Sequence, residues 1–132
     1  MIGLDTNVLV RYIVRDDPRQ TAVADQLIAS LTAAEPGFVT QVVLVELWWV
    51  LVRSYKRTHA ECGKLFDALL DTDELAIESL VSAKTALAAA QRGADFADAL
   101  IVANCQIAGC DHIITLDESA TKQAGMALAP PG

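Results

Sequence analysis

Short apolar runs alternate with longer helix-patterned segments along the whole chain, and most of the helical segments open on a capping residue. Residues 2–5 read as a first strand and residues 6–14 as a short helix. Asp17-Pro18 joins an N-cap to a proline at the first helical position, where no N–H is needed. A helix should follow to about residue 34, with Ala24, Leu27, Ile28 and Leu31 on one face. Pro36-Gly37 stops it, and Phe38-Val39 begins a second strand. Thr40 is placed to cap a helix reaching about residue 56, and Thr58-His59-Ala60-Glu61 is a capping box that opens another, to about residue 70. Residues 75–78 form a third strand, and Ser79 is the expected cap of a helix that ends at Gly93 in a left-handed turn. Asp95 caps the next helix, which ends at Gly109; residues 112–116 read as a strand, 118–123 as a short helix and 126–128 as an edge strand.

Strands joined through helices lie parallel, and a parallel sheet is covered on both faces. The pattern therefore predicts a three-layer α/β/α fold around a central, mainly parallel sheet of four to five strands. At 132 residues and 53% hydrophobic, the chain has material for one core. We expect one domain over residues 1–129 and a loose tail over 130–132, where Pro130-Pro131-Gly132 stands.

Four carboxylates interrupt the apolar segments. Asp5 ends the first strand, Glu46 lies inside the run VVLVELWWVLV, Asp98 follows Phe96-Ala97, and Asp117 closes Ile113-Ile114-Thr115-Leu116. Ligands of parallel sheets gather outside the carboxyl ends of the strands, where Asp5 and Asp117 should both face. Each acid also has a structural explanation. Asp5 and Asp117 are placed to cap the helices that follow them. Asp98 suits the dipole of a helix's first turn, with Asp95 as the cap. Glu46 could pair with Arg53, although its helix is apolar enough to be buried nearly all round, and a Glu there favours a polar cavity. Taken together, clustered carboxylates repel unless their pKa values rise or a cation intervenes. Oxygen-only ligands select Mg2+ or Mn2+, ions suited to activating water and holding a phosphodiester.

The rest of the composition mostly excludes. No Cys-x-x-Cys pair occurs among Cys62, Cys105 and Cys110, and His59 and His112 complete no zinc spacing, so free thiols are expected. No leader-like segment is apparent and Glu46 breaks the longest apolar run, so a cytoplasmic, non-membrane protein is expected. A net charge of −7 argues against a broad basic face, unless metal ions offset the acids. The basic residues are uneven: Arg53, Lys56 and Arg57 cluster, as solvated residues at a helix end or as RNA contacts, while Arg11, Arg15 and Arg19 recur every four positions. Trp48 and Trp49 are adjacent on a helix, so they face differently, and one could serve an interface.

Four segments, Leu4-Asp5-Thr6-Asn7-Val8-Leu9, Val43-Leu44-Val45-Glu46-Leu47, Gly93 through Ile101 and Ile114-Thr115-Leu116-Asp117, together resemble a PIN domain of the VapC toxin type from VapBC toxin–antitoxin pairs. The resemblance covers nearly the whole chain. It implies a metal-dependent endoribonuclease with Asp5, Glu46, Asp98 and Asp117 as its acidic site, and with Thr6 and Thr115 hydrogen-bonding behind them. It also implies a homodimer and a small antitoxin whose C-terminal segment covers the active-site groove. Where the family often has an aromatic residue after the last Asp, this chain has Ser119, Ala120 and Thr121. Two rivals remain: a PIN-like module that binds RNA or protein without cutting, and a phosphoryl-transfer domain of receiver or phosphatase type. Against the phosphatase, Asn7 occupies the position of its second Asp; against the receiver, Asp16-Asp17 follows a helix instead of a strand.

Overall fold

The structure, a computed structural model, describes residues 1–130, so Pro131 and Gly132 of the expected tail lie outside it. Among the described residues there are five strands and seven helices: β1 (Ile2–Gly3), α1 (Thr6–Val14), α2 (Pro18–Ser30), β2 (Gly37–Val39), α3 (Gln41–Arg53), α4 (His59–Leu70), β3 (Leu75–Ile77), α5 (Leu80–Gln91), α6 (Phe96–Ile107), β4 (Ile114–Thr115), α7 (Glu118–Gln123) and β5 (Ala127–Leu128). The α/β class is as expected, and every strand pair is parallel. The five strands are hydrogen-bonded in two sets, β1-β2-β3 and β4-β5. The described residues resolve into two compact units, Met1–Glu78 and 79–130.

In the first unit the ladder is short, but backbone bonds extend it by a residue at the carboxyl ends. Leu4 N–H donates to the Phe38 carbonyl at 2.9 Å, and Glu78 N–H to that of Val39 at 2.9 Å. The chain then turns at once into helices: Asp5 caps α1, and the Thr40 hydroxyl caps α3 by accepting from Val43 N–H at 3.1 Å. The Thr58–Glu61 capping box forms in full at the start of α4. Leu44, Leu47, Leu51, Cys62 and Phe66 are fully enclosed, and Trp48 packs edge-on against Phe66, with ring centroids 5.1 Å apart.

In the second unit α5 packs on α6 through small side chains: Ala83, Ala86, Ala90, Ala99 and Ala103 are buried. Gly93 has φ +110°, the positive value expected after a helix end, and Asp95 then caps α6.

Strands β1, β3, β4 and β5 are one to three residues shorter than the sequence reading, and three helix ends depart from it as well. Helix α2 stops at Ser30, short of residue 34, because Leu31 is extended and Thr32 and Glu35 close a turn through mutual hydrogen bonds. Helix α3 stops at Arg53, short of residue 56. Ser54 and Tyr55 both donate to the Val50 carbonyl, and Lys56 turns left-handed at φ 55°, which takes Arg57 off the face that carries Glu46. Ser79 stands before α5 but is itself left-handed, at φ 53°, and makes no side-chain cap bond.

Candidate functional site

Asp5 emerges where β1 ends, so its carboxylate is delivered to the carboxyl edge of the first unit's sheet. It caps α1, its Oδ1 accepting from Thr6 N–H at 2.8 Å. Thr6 is buried, and its hydroxyl donates to Glu46 Oε1 at 2.8 Å. One threonine thus holds two carboxylates, one through its backbone and one through its side chain. Each acid is anchored by one oxygen, leaving the other for a ligand.

Glu46 is exposed, contrary to the expectation of a helix buried all round. The outer stripe of α3 also exposes Val42 (67%) and Trp49 (56%), while Trp48 (4%) belongs to the core. The apolar run misled because it contains valine and tryptophan on the outer face as well as leucine on the inner one. Glu46 is held by Thr6, and no ion pair with Arg53 forms. The Arg53 guanidinium lies over the Trp49 ring instead, 5.9 Å from its centroid.

In the second unit Asp98 occupies the first turn of α6, half-buried, and its N–H donates to Asp95 Oδ2 at 3.0 Å. Burial pushes the Asp98 carboxyl above its ordinary pKa, and the charges of Asp95 and Asp117 push it further the same way. Asp117 caps α7. Its Oδ1 accepts from the Ser119 hydroxyl at 2.8 Å and from Ser119 N–H at 2.9 Å, and these bonds hold its carboxyl below the ordinary range. The Thr115 hydroxyl accepts from Asp117 N–H at 3.0 Å and so fixes the turn that presents the acid. Ser119, which stands where the family often has an aromatic residue, thus holds a carboxylate. The Asp-x-Ser spacing after a strand is a local turn signal that marks it as a carboxylate holder. Glu78, which interrupts no apolar run, follows β3 and accepts from Gln41 N–H at 2.8 Å, tying the α3 N-terminus.

The structure therefore presents the acids as Asp5 with Glu46 in one unit and Asp98 with Asp117 in the other. Within neither unit do three His, Cys, Asp or Glu side chains among the described residues group closely enough to hold a metal ion. The donors nonetheless suit a hard divalent cation: all are carboxylate oxygens, and the charges of Asp95 and Asp117 act on Asp98 in addition to its burial.

Several of the basic residues are already engaged. Arg11 pairs with Asp16 at 2.7 Å, and Arg15 grips Asp25 through two bonds at 2.9 and 2.6 Å. Arg57 lies 3.9 Å from Glu61, a weak surface pair, and Lys56 is exposed. Arg19, Gln20, Arg11 and Asn7 line a cleft of about 570 Å³ between α1 and α2. Cys62 is buried, Cys105 half-buried and Cys110 exposed, all as free thiols. No helix among the described residues is long and apolar enough to cross a membrane.

A family model for the PIN domain matches residues 2–125. No curated protein and no solved structure matches the chain.

Proposed function

The chain belongs to the PIN domain family, whose members are generally nucleases that use divalent metals, and from that premise we propose a magnesium- or manganese-dependent endoribonuclease that serves as the VapC-type toxin of a type II toxin–antitoxin pair. In this reading residues 1–129 act as one nuclease domain in the cytoplasm, as a homodimer that a small cognate antitoxin restrains. Asp5, Glu46, Asp98 and Asp117 together would hold the metal. When bound, the ion would supply an activated water and neutralise charge on the leaving oxygen of an RNA phosphodiester.

The observation that carries the reading is the threonine clamp. A helix cap at Asp5 needs only a backbone N–H. A buried hydroxyl that also orients a carboxylate from a distant helix is what an acidic site requires and a cap does not. Thr6 fixes the direction of the Glu46 carboxylate, Ser119 fixes that of Asp117, and Thr115 closes the turn that presents Asp117. Asp98, half-buried and subject to the charges of Asp95 and Asp117, would be relieved by a cation.

The test is cleavage of a structured RNA by the purified chain. Magnesium should support it, EDTA should stop it, and Asp5→Asn and Asp98→Asn should each abolish it with the fold retained. Full activity in either variant overturns the assignment. RNA binding without cleavage, together with no magnesium binding by calorimetry, would favour the non-catalytic reading.

A further inference from the structure

We propose that Trp49, with Arg53 beside it, is the stacking platform that positions a base of the RNA next to the catalytic acids; the inference rests on the nuclease reading above and deepens it. Along α3, Val42, Glu46, Trp49 and Arg53 recur at intervals of four, three and four, which sets them on one helical stripe. That stripe is the exposed one, with Trp49 56% open although a tryptophan loses much by staying in water. The Arg53 guanidinium lies over its ring at 5.9 Å, so a flat apolar surface and a positive charge stand side by side. One turn away, Glu46 is fixed by Thr6. Three residues of helix advance about 4.5 Å, so a base on Trp49 and a phosphate at Glu46 belong to the same or an adjoining nucleotide.

The chemistry of the stripe selects the occupant. Aromatic faces and guanidinium planes are what proteins use to hold splayed-out RNA bases, and arginine adds the countercharge a phosphate needs. A second copy of the chain is a poorer fit here. The core of a stable interface is depleted of charged residues, whereas Glu46 and Arg53 place charge on either side of Trp49. The neighbouring Trp48 is the control built into the sequence: it is buried against Phe66 and His59 and cannot report on ligand.

The experiment uses the full chain. An Asp5→Asn background prevents cutting, and a single-stranded oligoribonucleotide is titrated while tryptophan emission is followed. Quenching should occur, should vanish in the further variant Trp49→Phe, in which only the enclosed Trp48 emits, and should be weak with a fully paired duplex. In the otherwise native chain, Trp49→Ala should raise KM roughly tenfold with kcat nearly unchanged, within the range for loss of one base–aromatic stack, and Trp49→Phe should restore most of it. An unchanged KM, or a shift from dimer to monomer in Trp49→Ala by sedimentation, overturns the proposal while leaving the nuclease reading intact. Quenching that depends on Trp49 in a chain that cuts no RNA would keep the platform and remove the nuclease.

Discussion

Thr6 concentrates more of the site's logic than any of the carboxylates, because its two donors settle the orientation of two acids at once. Thr6→Val keeps the shape and the backbone bond to Asp5 but removes the hydroxyl that Glu46 accepts. Losses of this kind typically cost 10–100-fold in metal affinity or activity; we expect a fall of about that size in the rate at limiting magnesium, partly recovered at saturating metal, with little change in melting temperature. Asp98 makes a different prediction. Its folded pKa is raised, so the native chain holds the proton to higher pH than the unfolded chain does. Stability from this group is therefore greatest below the ordinary carboxylate pKa and declines as pH rises from there through the raised value. In EDTA at pH 7, Asp98→Asn should melt slightly higher than the native chain, on the order of 1 °C, with the difference gone in acid. An equal or lower melting temperature at neutral pH would show that neither the burial of Asp98 nor the charges of Asp95 and Asp117 disfavour its ionised form. The acids themselves were legible in the sequence because each breaks an apolar run. Ser119 and the hydroxyl of Thr6 acting on Glu46 were legible only weakly, since a hydroxyl's partner in another element is a matter of tertiary geometry.

At the scale of elements, the sequence was readable where local chemistry decides and unreadable where long-range packing does. Asp17-Pro18 and the Thr58–Glu61 box start α2 and α4 where expected, since capping needs only neighbours a few positions away. The ends of α2 and α3 came early because turn closures at Thr32–Glu35 and around Lys56 leave little propensity signal. The partial exposure of α3 is illegible in the sequence for a related reason: valine and tryptophan read as core whichever way they face. Gly37 shows how tightly β2 is seated. A Cβ there would stand 2.7 Å from Leu4 Cδ1 and 2.9 Å from Leu31 Cδ1, so both leucines would have to move. Gly37→Ala should therefore destabilise the chain by about 1–3 kcal/mol, the usual range for overpacking a close-fitted core, measured by urea unfolding. Since Leu4 immediately precedes Asp5, the same variant should also lower activity at temperatures well below its melting point. Native-like unfolding would mean that the leucines relax freely.

For the whole molecule the central matter is whether one cation draws on acids from both units. A chain with net charge −7 gains from any bound cation, so stabilisation by magnesium alone proves little. Coupling is the discriminating quantity. A ligand that binds only the folded state raises stability with the logarithm of its concentration over its dissociation constant, about 2.7 kcal/mol at a hundredfold excess. If Asp5 and Asp98 serve the same ion, either Asn substitution removes most of that gain, and the double variant loses scarcely more than each single one. If they serve separate ions, the two losses add, as effects at independent sites do. The cycle is measured by melting the native chain, Asp5→Asn, Asp98→Asn and the double variant across a magnesium series, at constant ionic strength so that general screening of the acidic surface is common to all four. We expect strong non-additivity. Additive losses would divide the four carboxylates into two unrelated pairs and would remove the single shared metal from the proposed mechanism, whatever the chain then did with RNA.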